Sequence, residues 1–202
     1  MMQFIVTLTT GLMLASLVAG QTVDQDHSIE RAFVDGGSVR FRLSSGEYAI
    51  KAGNTNRIFA RWRNEDSNDL KDLKKIKIDV IVSGSDALIR TEGSTKHVKT
   101  TIEVPMHSDL YLRMRAGDVR ISGIEGNKDI HLTAGDLKIA VQPESYSYVR
   151  GAVTFGDLNA TPLGILKDGI KSSFEWHGAG KYKLDASLFA GDLTLVAPAL
   201  RQ

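Results

Sequence analysis

One short step constrains this chain more than anything else in it. A small or aromatic residue is followed by Gly-Asp and then by an aliphatic residue. It occurs as Ala116-Gly117-Asp118-Val119, Ala134-Gly135-Asp136-Leu137, Phe155-Gly156-Asp157-Leu158 and Ala190-Gly191-Asp192-Leu193. The glycines are 18, 21 and 35 residues apart, the last close to two units of the first. A turn-plus-strand unit that recurs at near-constant spacing marks a repeat architecture. Glycine allows positive φ at a corner. The aspartate after it can accept hydrogen bonds from turn amides, and the aliphatic residue starts the next strand.

The rest of the chain reads as strands, because apolar and polar residues alternate with period two. Val39, Phe41 and Leu43 alternate with Arg40 and Arg42, and Ile58, Ala60 and Trp62 with Arg57, Arg61 and Arg63. Ile76, Ile78, Val80 and Val82 follow, then Val98, Thr100, Ile102 and Val104, closed by Pro105, which cannot donate to a ladder. Leu110, Leu112 and Met114 lead into the Gly-Asp steps, where the strands are expected to shorten to three to five residues. The one helical candidate is Ser67 to Lys75, within a polar insert. The expected fold is all-β, a solenoid or roll of short strands with glycine corners, most clearly over residues 106–196. An antiparallel sandwich with hairpins at the same glycines is the alternative.

Composition narrows the class. The chain has 202 residues, 42% of them apolar and 24% charged, which is an ordinary globular balance. Its 25 basic and 24 acidic residues leave a net charge of +1, so it lacks the basic excess of a nucleic-acid binder. No cysteine is present, so no disulfide supports the fold. Residues 1–20 carry no charged side chain, and the apolar run Phe4 to Val18 ends in Ala19-Gly20. This predicts a secretory signal peptide cleaved near Gly20, and a secreted or periplasmic protein. The mature chain, 21–202, then reads as one all-β domain with a possible sub-boundary at 105–109, and it contains no run long enough to span a bilayer as a helix.

The order of these elements resembles the DUF4097-type family of bacterial putative adhesin domains. The matching residues are Val104-Pro105 before Leu110-Tyr111-Leu112, the step at Gly117-Asp118, and Ser122-Gly123-Ile124-Glu125-Gly126. The steps at Gly135-Asp136 and Gly156-Asp157 follow, and then Trp176-His177-Gly178-Ala179-Gly180 before Gly191-Asp192. The resemblance implies an extracytoplasmic β-repeat domain and brings no catalytic residues with it.

Four groups of residues are candidates for chemistry. Asp118, Asp136, Asp157 and Asp192 would form a column if the strands stack, about 4.8 Å apart. Such a column could bind a cation or supply a glycosidase with carboxylates. Their place at a glycine turn instead predicts corner capping, with Gly117, Gly135, Gly156 and Gly191 as the turn residues. Arg57, Arg61 and Arg63, with Arg40 and Arg42, form the densest basic segments and could hold an anionic glycan or headgroup. Trp176 could stack on a sugar ring, whereas Trp62 is expected to point inward. The five histidines lack metal-ligand spacing, and His107-Ser108-Asp109 holds a triad's residue types at adjacent positions, which rarely converge. No phosphate loop or nucleophile elbow is present, and no metal or cofactor is expected. The expectation is a non-enzymatic, adhesin-like structural or binding protein of the bacterial envelope, with a glycan or surface protein as partner. A carbohydrate-active β-helix enzyme and a self-associating scaffold are the alternatives.

Overall fold

The computed structural model describes residues 27–64, 76–93 and 95–198. The expected signal peptide and the candidate helix at Ser67 to Lys75 lie outside the described residues. The chain is all-β. Its strands are β1 (His27–Ala32), β2 (Ser38–Leu43), β3 (Gly46–Gly53), β4 (Arg57–Asn64), β5 (Lys77–Ser83), β6 (Asp86–Glu92), β7 (Thr95–Pro105) and β8 (Asp109–Ser122). They continue as β9 (Lys128–Ala134), β10 (Leu137–Ala140), β11 (Tyr146–Phe155), β12 (Leu158–Ala160), β13 (Ile165–Lys167), β14 (Ile170–His177), β15 (Tyr182–Ala190) and β16 (Leu193–Val196). Pro105 ends β7 as expected. Beyond it β10, β12, β13 and β16 have the expected three to five residues, whereas β8, β9, β11, β14 and β15 are longer, and β8 reaches 14 residues. Gly117 lies inside β8, so the chain turns its corner there without leaving the ladder.

The strands form two ladders joined through β8. Sheet A runs β1-β4-β7-β3-β8-β10-β16-β12-β13. Sheet B runs β5-β6-β2-β8-β9-β15-β11-β14. Interior pairs are parallel in both sheets. Among the described residues antiparallel pairs occur only at the ends, at β1–β4–β7, β12–β13, β5–β6 and β11–β14. Stacking does not follow chain order. β16 lies between β10 and β12, and β15 between β9 and β11. The 35-residue gap therefore has a cause other than a missing corner. After β12 the chain leaves to make β13 and β14 at the end of the stack, then returns to insert a strand pair one place back.

The buried faces of both sheets contribute to one hydrophobic core. Across sheet B the inward positions register as Val80, Ile89, Phe41, Leu112, Ile130 and Ala186. Across sheet A they register as Ala60, Ile102, Ile50, Ile121, Ile139 and Leu195. β-branched side chains suit such stacked pleated positions. Trp62 is buried in this core, as its place in the alternation predicts.

The Gly-Asp steps stack at the passage from sheet B to sheet A, in the order 117, 135, 191 and 156. Gly135 has φ +113°, and a Cβ there would lie 2.1 Å from the Gly117 carbonyl oxygen. The same contact recurs from Gly191 to Gly135 and from Gly156 to Gly191. Backbone passes over backbone at each corner, and only glycine leaves room for it.

Candidate functional site

Three of the four corner carboxylates, those of Asp118, Asp136 and Asp192, are engaged by the amide of the next corner. The Asp136 amide donates to Asp118 Oδ1 at 3.1 Å, the Asp192 amide to Asp136 Oδ1 at 3.1 Å, and the Asp157 amide to Asp192 Oδ1 at 2.9 Å. Backbone bonds continue the stack, from Val119 N to Asp136 O and from Leu137 N to Asp192 O, both at 2.9 Å. The aspartates form a continuous ladder of carboxylate-to-amide bonds.

The basic segments separate. Arg57, Arg61 and Arg63 project outward from β4 in sheet A, whereas Arg40 and Arg42 project outward from β2 in sheet B. Alternation places each set on one side of its own strand, but the five do not share a face, because β2 and β4 belong to different ladders. Arg57 pairs with Glu30 at 2.5 Å, and its guanidinium sits 5.2 Å from the Phe59 ring. Arg61 and Arg63 are exposed opposite Thr101 and Lys99. Trp176, on the terminal strand β14, is half-buried against the core. Its ring closes over Gly178, where a Cβ would lie 2.2 Å from it.

A larger cationic feature lies on the outer face of sheet B. Arg90, Arg42, Arg113 and His131 register directly across β6, β2, β8 and β9. Adjacent strands place such positions about 4.8 Å apart. Together with Arg115, Glu92 and the buried Leu43, Met114 and Leu132 they line a groove of about 560 Å³. Behind it, Tyr48 Oη meets Thr91 Oγ1 at 2.9 Å, and the Ser44 amide donates to Thr91 Oγ1 at 2.7 Å. Arg113 pairs with Asp129 at 2.9 Å. Arg42, Arg90 and Arg115 have no ion-pair partner among the described residues. Burial raises the Asp129 carboxyl, but hydrogen bonds from Arg113 and His131 outweigh that and hold it below the usual carboxylate range.

His131 joins two further groups at this face. Its Nε2 lies 2.7 Å from Asp129 Oδ1, and its Nδ1 meets Ser187 Oγ. This is an acid–imidazole–hydroxyl sequence of the kind that activates a serine. No preorganised donor for an oxyanion stands beside it among the described residues. Ser187 lies within β15, an interior strand whose amides belong to the ladder, and the nearby Arg113 guanidinium is tied to Asp129 and to the Leu112 carbonyl. His107, Ser108 and Asp109 diverge to separate partners. His107 Nδ1 bonds Asp35 at 2.6 Å, Ser108 donates to Pro105 O at 2.8 Å, and Asp109 accepts from the Asn127 amide at 2.7 Å.

One lysine is buried among the aliphatic residues. Lys128 registers between Leu110 and Leu184 on the inner side of sheet B and is 2% exposed. Its ammonium donates to Ile124 O at 2.9 Å, to Gly126 O at 3.0 Å and to Tyr146 Oη at 2.7 Å. Burial pushes the amine down to about 8 against the pull of Asp109 and Glu125. Tyr146 is in turn raised, chiefly by burial.

No protein-family model matches the sequence, and no curated protein does. Solved structures do resemble it. One, named a putative cell adhesion protein from Clostridium sporogenes, aligns over 84% of this chain and 98% of its own, at 11% identity and a TM-score of 0.52. A putative adhesin from Bacteroides fragilis covers 86% and 98% at 10% identity and a TM-score of 0.25. A putative lipid binding protein from Parabacteroides distasonis covers 86% and 98% at 8% identity and a TM-score of 0.25. The first of these shows a fold shared with this chain.

Proposed function

We propose that this chain is a non-enzymatic, adhesin-like binding domain that works outside the cytoplasm at the bacterial envelope. In this reading it is exported through its N-terminal apolar segment and belongs with the DUF4097-type domains. Its parallel strands, turned at stacked Gly-Asp corners, make a solenoid-like roll. The carrying observation is the division of polar groups. The carboxylates of Asp118, Asp136 and Asp192 are engaged by corner amides, while arginines without ion-pair partners stand on the outer sheet face. The repeat thus builds a stiff scaffold, and the faces between corners are left for a partner, a glycan or a surface protein. Arg57, Arg61, Arg63 and Trp176 belong to the proposed contact surfaces on sheet A and at the β14 end. A glycan array at low and moderate salt tests the reading. Hits that weaken with salt and on Arg61→Ala support a contact at β4. Retention of no glycan and no envelope protein overturns the binding role.

Self-association is the second reading, favoured by one apolar patch at the β13–β14 end. Phe155 and Phe189 meet edge to face at 5.3 Å, Ile170, paired with Phe155, is 71% exposed, and Leu166 on β13 is 66% exposed. Light scattering that shows mass growing with concentration, and reverting in Phe189→Ser, supports it. A constant monomer mass refutes it.

A further inference from the structure

We infer that the groove on the outer face of sheet B is a binding site for a linear polyanionic glycan, one that carries carboxylate or sulfate groups along its length. This rests on the binding role proposed above and names its ligand class and its place.

Three arginines stand in a row, one per strand. Arg90, Arg42 and Arg113 occupy directly paired positions on β6, β2 and β8, and His131 continues the row on β9. Like charges opposite one another on neighbouring strands destabilise a sheet. Proteins usually place carboxylates between such groups, and this one does so elsewhere on the same face, where Arg150 pairs with Asp185 at 3.0 Å. Within the groove Arg113 pairs with Asp129, Glu92 is the one carboxylate in the lining, and Arg42, Arg90 and Arg115 make no ion pair among the described residues and are left for an outside anion. Asp79, the cross-strand neighbour of Arg90, is paired with Lys77 at 3.3 Å.

The shape selects the ligand. The row crosses four strands at right angles to their direction on an open sheet face, so it suits an extended chain with recurring anions better than an isolated phosphate. Arginine presents planar forks that grip carboxylate or sulfate through two bonds. Tyr111, two residues before Arg113 on the same outward side of β8, leaves 38% of its surface exposed. Its ring can lie against the apolar face of a sugar. The groove floor is aliphatic but buried, and the exposed phenylalanines lie at the far end, toward β13 and β14. The site therefore offers charge and one aromatic platform rather than a membrane-inserting apolar face.

The test titrates the full chain with polygalacturonate, dextran sulfate and neutral dextran, with vesicles containing phosphatidylserine as a separate arm. Binding to both polyanions and not to dextran is expected. Arg42→Ala with Arg90→Ala should weaken it at least about tenfold, the scale of one lost charged contact or more. Lysine at both positions should recover only part of the loss, because the charge returns without the fork. Lys138→Ala, which removes a cation from sheet A, should change nothing. Circular dichroism checks that each variant is folded. Polyanion binding that survives the double alanine variant overturns the inference, and so does binding to vesicles alone. A chain that ignores polyanions yet retains a neutral glycan or a protein overturns this site and leaves the binding role standing. A chain that binds nothing overturns both.

Discussion

Lys128 gives the core a pH dependence that a purely aliphatic ladder would lack. Its ammonium is enclosed by two carbonyls and the Tyr146 hydroxyl, between Leu110 and Leu184. Burial holds the folded amine down to about 8, while in an unfolded chain a lysine titrates near 10.4. Below pH 8 both states carry the proton, and the folded state bears the whole cost of the buried charge. Between pH 8 and 10 the unfolded chain keeps a proton that the folded one has released, so stability rises with pH. Integrated over that window, the rise is about 2 kcal/mol. Above pH 10 the trend reverses. Tyr146 is held above its ordinary value, so the unfolded tyrosine ionises first and draws the equilibrium toward itself. Urea unfolding at pH 7, 8, 9 and 10, with a constant denaturant slope, measures the effect. Lys128→Met should abolish the rise. Its absolute stability also falls at pH 10, since three acceptors lose their donor at about 1 kcal/mol or more each. The slope is therefore the diagnostic quantity. A flat wild-type profile from pH 8 to 10, or an equal rise in Lys128→Met, refutes the reasoning.

Further outcomes follow from the corners and the outer face. Gly135→Ala places a Cβ 2.1 Å from the Gly117 carbonyl at φ +113°, and a thermal melt should show a loss on the order of 3 kcal/mol. Asp136→Ala removes the acceptor for the Asp192 amide and should cost about 1 kcal/mol, whereas Asp136→Asn keeps an acceptor oxygen and should cost a few tenths. If the corner column were catalytic, Asp118→Asn or Asp136→Asn would abolish turnover on a polysaccharide panel; no turnover is expected in the parent protein. A panel of activated esters tests the Asp129–His131–Ser187 arrangement, where equal rates for wild type and Ser187→Ala are expected.

Much of the scaffold was legible from alternation and from the Gly-Asp step. Period two placed Phe41, Trp62, Ile102 and Leu112 inside, and all four are buried. It also carries the outward positions of Arg113, Asp129 and His131, which follow directly from the inward Leu112 and Ile130. What alternation does not carry is pairing between distant strands. Arg42 meets Arg90 and Arg113 only because β2 lies between β6 and β8, and that order depends on where the chain doubles back. For the same reason Arg40 and Arg42 read as partners of Arg57, Arg61 and Arg63, since the two strands are near in sequence although they stand in different sheets. Ser187 reaches His131 from 56 residues away through the inserted β15. The regular corner spacing concealed that insertion, because a gap of 35 residues reads as two ordinary steps. Lys128 falls on the inward side of its strand by simple alternation, but the partners that make its burial tolerable come from the turn before β9 and from Tyr146 on β11.

The central claim is that the corners hold the scaffold and the outer face of sheet B meets the ligand. The most direct measurement is an amide-shift map of the labelled protein titrated with polygalacturonate. The account predicts salt-sensitive shifts concentrated on β6, β2, β8 and β9, around Arg90, Arg42, Arg113 and His131, with Asp118, Asp136, Asp192 and Asp157 unmoved. Shifts centred on those four aspartates, or none on β6, β2, β8 and β9, would contradict it.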